Sequence, residues 1–186
     1  MKQGNLFVIS GPSGVGKTTI IKELLKIDAN LKLAVSVTTR PRRQDEQEGV
    51  DYYFLKTHEF ESLIKKESFL EWCVVYKNKY GTLKKEVEKA LNAEQDIILD
   101  IDTQGTKKVK NQLKDITAIF IAPPSFKDLE DRLKRRNTEE ERVKKHRLLE
   151  SKQEFLAMEQ YDYVVVNKQV DKAVKQVKKI IEQKRK

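Results

Sequence analysis

Short apolar runs alternate with amphipathic stretches along most of the chain. Leu6–Ser10 (LFVIS) has the pattern of a buried strand. After Lys17, the spacing of Ile20, Ile21, Leu24 and Leu25 predicts a helix with one apolar face. Leu33–Val37 is a second strand candidate, and it runs into a basic loop, Thr38–Glu48. From Asp51 to Thr82 the pattern is less regular. Short β-type runs (YYFL, LEWCVVY) surround a helical segment, His58–Lys66, as an inserted lobe would have them. Lys84–Ala93 is helical in period, and Ile97–Ile101 and Ala118–Ala122 are strongly apolar strands. Pro123-Pro124 stops the second of these, and Ser125 is placed to cap the helix carrying Leu129 and Leu133. A charged stretch, Lys134–Lys145, precedes a predicted helix Arg147–Glu159, a last strand Val164–Val166 and a C-terminal helix.

Strands joined by helices imply parallel pairing, right-handed crossovers and a sheet covered on both faces. The expected architecture is α/β, with ligands at the carboxyl ends of the strands. With 186 residues, the expectation is a single domain over 1–186.

Charge changes this picture little. The net charge is +9, and Lys168–Lys186 holds eight Lys/Arg against Asp171 and Glu182. There Val170, Val174, Val177 and Ile181 keep a helical apolar stripe, so the lysines are the wet face of a packed helix. A nucleic-acid surface is the alternative. No apolar run approaches the ~20 residues of a membrane span, and the one cysteine, Cys73, has no internal partner. The expected compartment is the cytoplasm, with no membrane or nucleic-acid partner.

The decisive motif is local. Gly11-Pro12-Ser13-Gly14-Val15-Gly16-Lys17-Thr18 satisfies G-x-x-x-x-G-K-[ST] between an apolar strand and a helix. Its amides can converge on an anion at the positive end of that helix. Lys17 is expected to reach the β- and γ-phosphates of a nucleoside triphosphate, and Thr18 a Mg²⁺ ion. Asp100, ending the run IILD, is the preferred carboxylate on the metal side, partly through water. Asp102 points the same way if the strand continues; either acid is otherwise a helix N-cap. The loop Ser36–Arg43 gathers hydroxyls and arginines, and arginine forks suit a phosphate. His58, His146 and Cys73 need no catalytic role.

Taken in order, the segments SVTTRxxR (36–43), GVDYYF (49–54), FLEW (69–72), KYGT (79–82), ILDIDTQG (98–105), IAPPS (121–125) and VVN (165–167) carry more. With the phosphate loop they resemble the guanylate kinase family over essentially the whole chain. The resemblance implies a P-loop parallel-sheet core flanked by helices, a small mixed GMP-binding lobe at about 38–83 and a helical lid at about 132–147. It implies ATP-dependent phosphorylation of GMP, and of dGMP, with Mg²⁺, in purine nucleotide metabolism. By the family pattern Ser36, Arg40, Arg43, Tyr52 and Tyr80 take the GMP phosphate. Glu71 and Thr82 take the guanine, with Asp102 on the GMP side and Asn167 on the ATP side. Arg132, Arg136 and Arg147 are the implied lid arginines facing the transferring phosphoryl group. A carboxylate suits guanine, whose N1–H and 2-amino group are adjacent donors.

Three positions depart from the family pattern. Arg135-Arg136-Asn137 stands where relatives have a glycine-bearing lid stretch. Lys168 and Gln169 replace acidic residues after Asn167, and Asp45 replaces a glycine ahead of Glu46.

Overall fold

The computed structural model describes residues 3–75, 77–135 and 154–185, with side chains for all of these except 131–135. The chain runs β1 (Leu6–Ser10), α1 (Lys17–Ile27), β2 (Leu31–Leu33), β3 (Val37–Thr38), β4 (Tyr53–Phe54), α2 (Thr57–Lys65) and β5 (Phe69–Val75). It continues through β6 (Asn78–Leu83), α3 (Lys84–Asn92), β7 (Asp96–Asp100), α4 (Thr103–Gln112) and β8 (Ile116–Ala122). Last come α5 (Phe126–Arg135), β9 (Tyr163–Val166) and α6 (Val170–Lys184).

Among the described residues, five strands form one sheet in the order β2-β7-β1-β8-β9, with every neighbouring pair parallel. Residues alternate faces along each strand. Phe7 and Ile9 therefore join α1 and α6 in one buried cluster, while Leu6 and Val8 join Val87 of α3 and Val109 of α4 in another. Each such side chain contributes roughly 1.5–3 kcal/mol by leaving water. The apolar stripe read at the C-terminus is confirmed: Val174, Val177 and Ile181 are buried on α6. Just past that helix, Arg185 pairs with Asp28 at 2.8 Å and with buried Asp96 at 2.5 Å.

A second sheet, β4-β3-β6-β5, is mixed: β3 and β4 are parallel, while β6 is antiparallel to both β3 and β5. Its own small core holds Val37, Phe60 and Phe69, with the two phenyl rings stacked at 4.4 Å between centroids.

Two expectations about elements need correction. The single strand expected over Leu33–Val37 is two strands in different sheets. Ala34 still bonds to Ile98 of the first sheet (2.9 Å), whereas Ser36 already accepts from Tyr53 of the second (2.9 Å). The strand expected to reach Ile101 stops at Asp100, because the next residues turn into α4. Ser125 caps as expected, its hydroxyl accepting from the amide of Asp128 at 3.0 Å. Most of the predicted helix Arg147–Glu159 lies outside the described residues; the described part ends in a short 3₁₀ turn, Ala157–Gln160.

Candidate active site

β1 is the central strand of the parallel sheet, so the loop that follows it opens at the sheet's carboxyl edge. Gly16 caps α1 with φ 100°, a left-handed conformation. A Cβ there would sit 2.6 Å from the Asn167 side-chain amide, so a glycine is required both by conformation and by contact. Asn167 is buried and donates to the Val15 carbonyl at 2.7 Å. Expected on the ATP side, Asn167 thus holds the backbone of the phosphate loop from the end of β9. Lys17 bonds across the same loop to the Gly11 carbonyl at 2.7 Å. Pro12 accepts from Val15 at 3.2 Å, Ser13 and Gly14 lie at the half-exposed turn, and Thr18 is exposed in the first turn of α1.

Asp100 ends β7, the strand beside β1. Burial pushes its carboxyl above the usual range, and the Lys17 charge opposes that rise. The Tyr52 phenol is pushed up to about 12, first by burial and then by the charge of Asp100. Tyr52 packs edge-on against Tyr80 at 6.0 Å, and the Arg40 guanidinium lies 5.5 Å from the Tyr52 ring centre. Arg40 is held by Glu46 at 2.6 Å, and Glu46 also accepts from the Arg43 amide at 2.8 Å. Partial burial works against ionisation of Glu46, but these partners hold it below the usual carboxylate range. Ser36 is half-buried, its carbonyl accepting from the amide of Tyr53, and Arg43 is exposed. The Lys17 charge thus acts on Asp100 and the Asp100 charge on Tyr52, which lies with Arg40 in the segments flanking β3 and β4.

The third part is a buried carboxylate. Glu71 on β5 is 4% exposed, and its Oε1 accepts from the Thr82 hydroxyl at 2.8 Å. Burial is the main reason its carboxyl rises to about 7, with the Asp102 charge adding to it. Gly105 of α4 is so close that a Cβ on it would lie 2.8 Å from Glu71 Oε2. Asp102, which the sequence allows either of two roles, is the N-cap of α4: its Oδ1 accepts from the Gly105 amide at 2.7 Å. Its other oxygen accepts from the Cys73 thiol at 3.6 Å. That thiol is buried and its pKa raised, which fits a packing residue.

The lid arginines are not part of this picture. Arg132 falls within the backbone of α5, but its side chain, and Arg136 and Arg147 altogether, lie outside the described residues.

Comparison with known proteins decides the family. The model of the family described as Guanylate kinase matches residues 3–184. The guanylate kinase of Thermotoga maritima is 44% identical over 98% of this chain and 88% of its own length. That of Rickettsia felis is 44% identical, covering 96% of this chain and 93% of its own. The crystal structure of guanylate kinase from Anaplasma phagocytophilum superposes with a TM-score of 0.82 at 32% identity, over 98% of this chain and 86% of that one. The chain belongs to the guanylate kinase family. It is a kinase that uses ATP to phosphorylate GMP.

Four residues beside the guanylate kinase site have parts that the sequence reading did not assign them. Glu46 orients Arg40, Gly105 leaves room for Glu71, and Lys108 and Gln112 of α4 bond to the carbonyls of Trp72 and Leu70. Glu46 had a local signal, an acid six residues after an arginine in one short loop, and Gly105 ends the segment ILDIDTQG; Lys108 and Gln112 had none.

No helix of the described residues is long and apolar enough to cross a membrane. Nor does any group of three or more His, Cys, Asp or Glu residues form a metal cage among them.

Proposed function

We propose that this chain binds ATP at Gly11–Thr18 and GMP against Glu71 and Arg40, and passes the γ-phosphoryl group between them. The observation that supports this reading is that the Lys17 charge acts on Asp100 and the Asp100 charge on Tyr52, whose ring centre lies 5.5 Å from the Arg40 guanidinium. The attacking oxygen of GMP is already anionic, so no general base is needed and positioning dominates.

In this reading Arg40, Arg43, Tyr52, Tyr80 and Ser36 hold the GMP phosphate. Glu46 keeps the Arg40 fork in place before the phosphate arrives. Glu71 accepts from guanine N1–H and the 2-amino group, and AMP is rejected because its base leaves buried polar groups unpaired. Thr82 has a single hydroxyl proton and donates it to Glu71, so its first role is to orient that carboxylate rather than to meet guanine O6. Asp102 closes the base pocket by ordering the start of α4. Asn167 supports the ATP side through the Val15 carbonyl.

The donor set fits Mg²⁺, which takes one or two hard protein oxygens and leaves its other positions to phosphates and water. Thr18 and Asp100 supply such oxygens, and the ion would neutralise charge on the transferring phosphates. Arg132, Arg136 and Arg147 are assigned to charge developing on the equatorial oxygens. We place the reaction in the cytoplasm, in purine nucleotide metabolism.

The test is ADP release with ATP and Mg²⁺ over GMP, dGMP, AMP, CMP, UMP and dTMP. GMP and dGMP turn over, with the other four lower in kcat/KM by at least about a hundredfold. Comparable use of AMP would refute the assignment of the acceptor pocket.

A further inference from the structure

β5 is an edge strand of the second sheet, so among the described residues its outer carbonyls have no strand to pair with. Glu71 is the third of the seven residues of this strand, directly after a register irregularity between Phe69 and Glu71. The carbonyl of Glu71 faces the inner side, toward Gly81 of β6. The flanking carbonyls, of Leu70 and Trp72, face the other edge. Both meet a donor from a single helix. Gln112 Nε2 donates to Leu70 O at 3.0 Å, and Lys108 Nζ donates to Trp72 O.

The match is geometric. Four residues of α-helix rise about 6 Å, and two residues of strand about 6.7 Å, so side chains one helical turn apart fall on alternate carbonyls of a strand. The Lys108 ammonium also lies 5.0 Å from the centre of the Trp72 ring. This stretch of edge opens on a cavity of about 350 Å³ lined by Ile64, Glu67, Trp72, Lys84, Lys108 and Gln112 among others. On the inner side the same helix meets the strand through Gly105 at Glu71 and Asp102 at Cys73.

We propose that Lys108 and Gln112 are positioning residues for base recognition, gripping β5 on either side of Glu71 so that its carboxylate is presented to guanine. Neither touches the nucleotide. The inference rests on the reading of Glu71 as the guanine acceptor. The Lys108 charge also favours the ionised form of Glu71, the form that accepts two hydrogen bonds, against burial and Asp102.

The variants are Lys108→Met and Gln112→Met, which keep length but lose the donor, and Lys108→Arg, which restores it. Each is made in the wild type and in Glu71→Gln, and kcat and KM are measured for ATP, GMP and inosine monophosphate. Each Met variant is expected to raise KM for GMP roughly three- to tenfold and to lower the GMP-to-IMP efficiency ratio. The kcat and the KM for ATP stay within about twofold, Lys108→Arg recovers most of the loss, and Glu71→Gln variants show no further effect. The proposal is overturned if KM for GMP is unchanged, or if kcat and both KM values worsen together as in general loosening. An equal loss in the Glu71→Gln background overturns it too. If Glu71→Gln itself leaves the GMP-to-IMP ratio intact, the reading of Glu71 fails and takes the proposal with it. If Glu71→Gln collapses the ratio and the Met variants do not, the clamp alone fails.

Discussion

Thr82 stands opposite Glu71 in the β5–β6 ladder and donates its hydroxyl proton to Oε1 of that carboxylate at 2.8 Å. Both side chains are buried. Thr82→Val keeps the shape of the residue and removes the hydroxyl donor from that carboxylate. A hydrogen bond to a charged group contributes roughly 1.5–3 kcal/mol, so KM for GMP is expected to rise about tenfold or more. Thr82→Ser restores the hydroxyl and most of the affinity. KM for ATP stays constant in both. Unaltered GMP kinetics in Thr82→Val would show that Glu71 is oriented by other contacts.

The elevated Glu71 carboxyl makes stability depend on pH in a defined direction. An ordinary glutamate titrates near 4.5, and burial lifts this one to about 7 in the folded chain. Between those values the folded state binds a proton that the unfolded state has lost. Stability therefore falls as pH rises through this window, and the penalty is complete above about 7. The contribution is about 3 kcal/mol at most. Glu71→Gln removes the titration, so relative to wild type it gains stability as pH goes from 5 to 8. Urea unfolding at four pH values measures this, and parallel curves for the two proteins would contradict it.

Much of the core was legible because its signals are local. Gly11 to Thr18 is one continuous motif, and Leu6–Ser10 or Ile97–Asp100 are apolar runs that must be buried. Leu33–Val37 misled because its hydrophobicity is uniform while the backbone changes sheets between Ala34 and Ser36. The sequence favours Asp100 for the metal side but leaves the place of Asp102 open, since that depends on where β7 stops. Lys108 and Gln112 were invisible for a different reason. They resemble any solvated helix positions until β5, some forty residues earlier, is laid against α4.

Lys17→Met is expected to leave a folded protein that barely turns over. The substitution removes the bond to the Gly11 carbonyl and the cation facing Asp100, but no buried apolar side chain. Loss of a preorganised charge at the transferring phosphates costs about a hundredfold in kcat or more. The melting transition and the affinity for GMP should remain near wild type. Retention of most of the activity would mean the phosphate loop has been misassigned.

Gly105→Ala separates folding from recognition, because the two respond with opposite sign. Gly105 lies inside α4, where an alanine is intrinsically favoured by roughly 1 kcal/mol. The new Cβ, however, would lie 2.8 Å from Glu71 Oε2 and 3.3 Å from Asp102 Oδ1. Carbon and oxygen cannot stay that close, so the Glu71 side chain must swing away from α4 or the helix must back off. Either movement displaces the acceptor oxygens from guanine. Glu71 is the flexible partner and Asp102 is fixed by its cap, so most of the shift falls on Glu71. The expected result is a melting temperature within a few degrees of wild type, with KM for GMP at least about tenfold higher and KM for ATP unchanged. The GMP-to-IMP efficiency ratio should drop in the same variant, since the contact with the 2-amino group suffers. A variant that keeps both its GMP kinetics and its ratio would show that Glu71 is free to retreat without cost, and that the close approach of α4 has no part in reading the base.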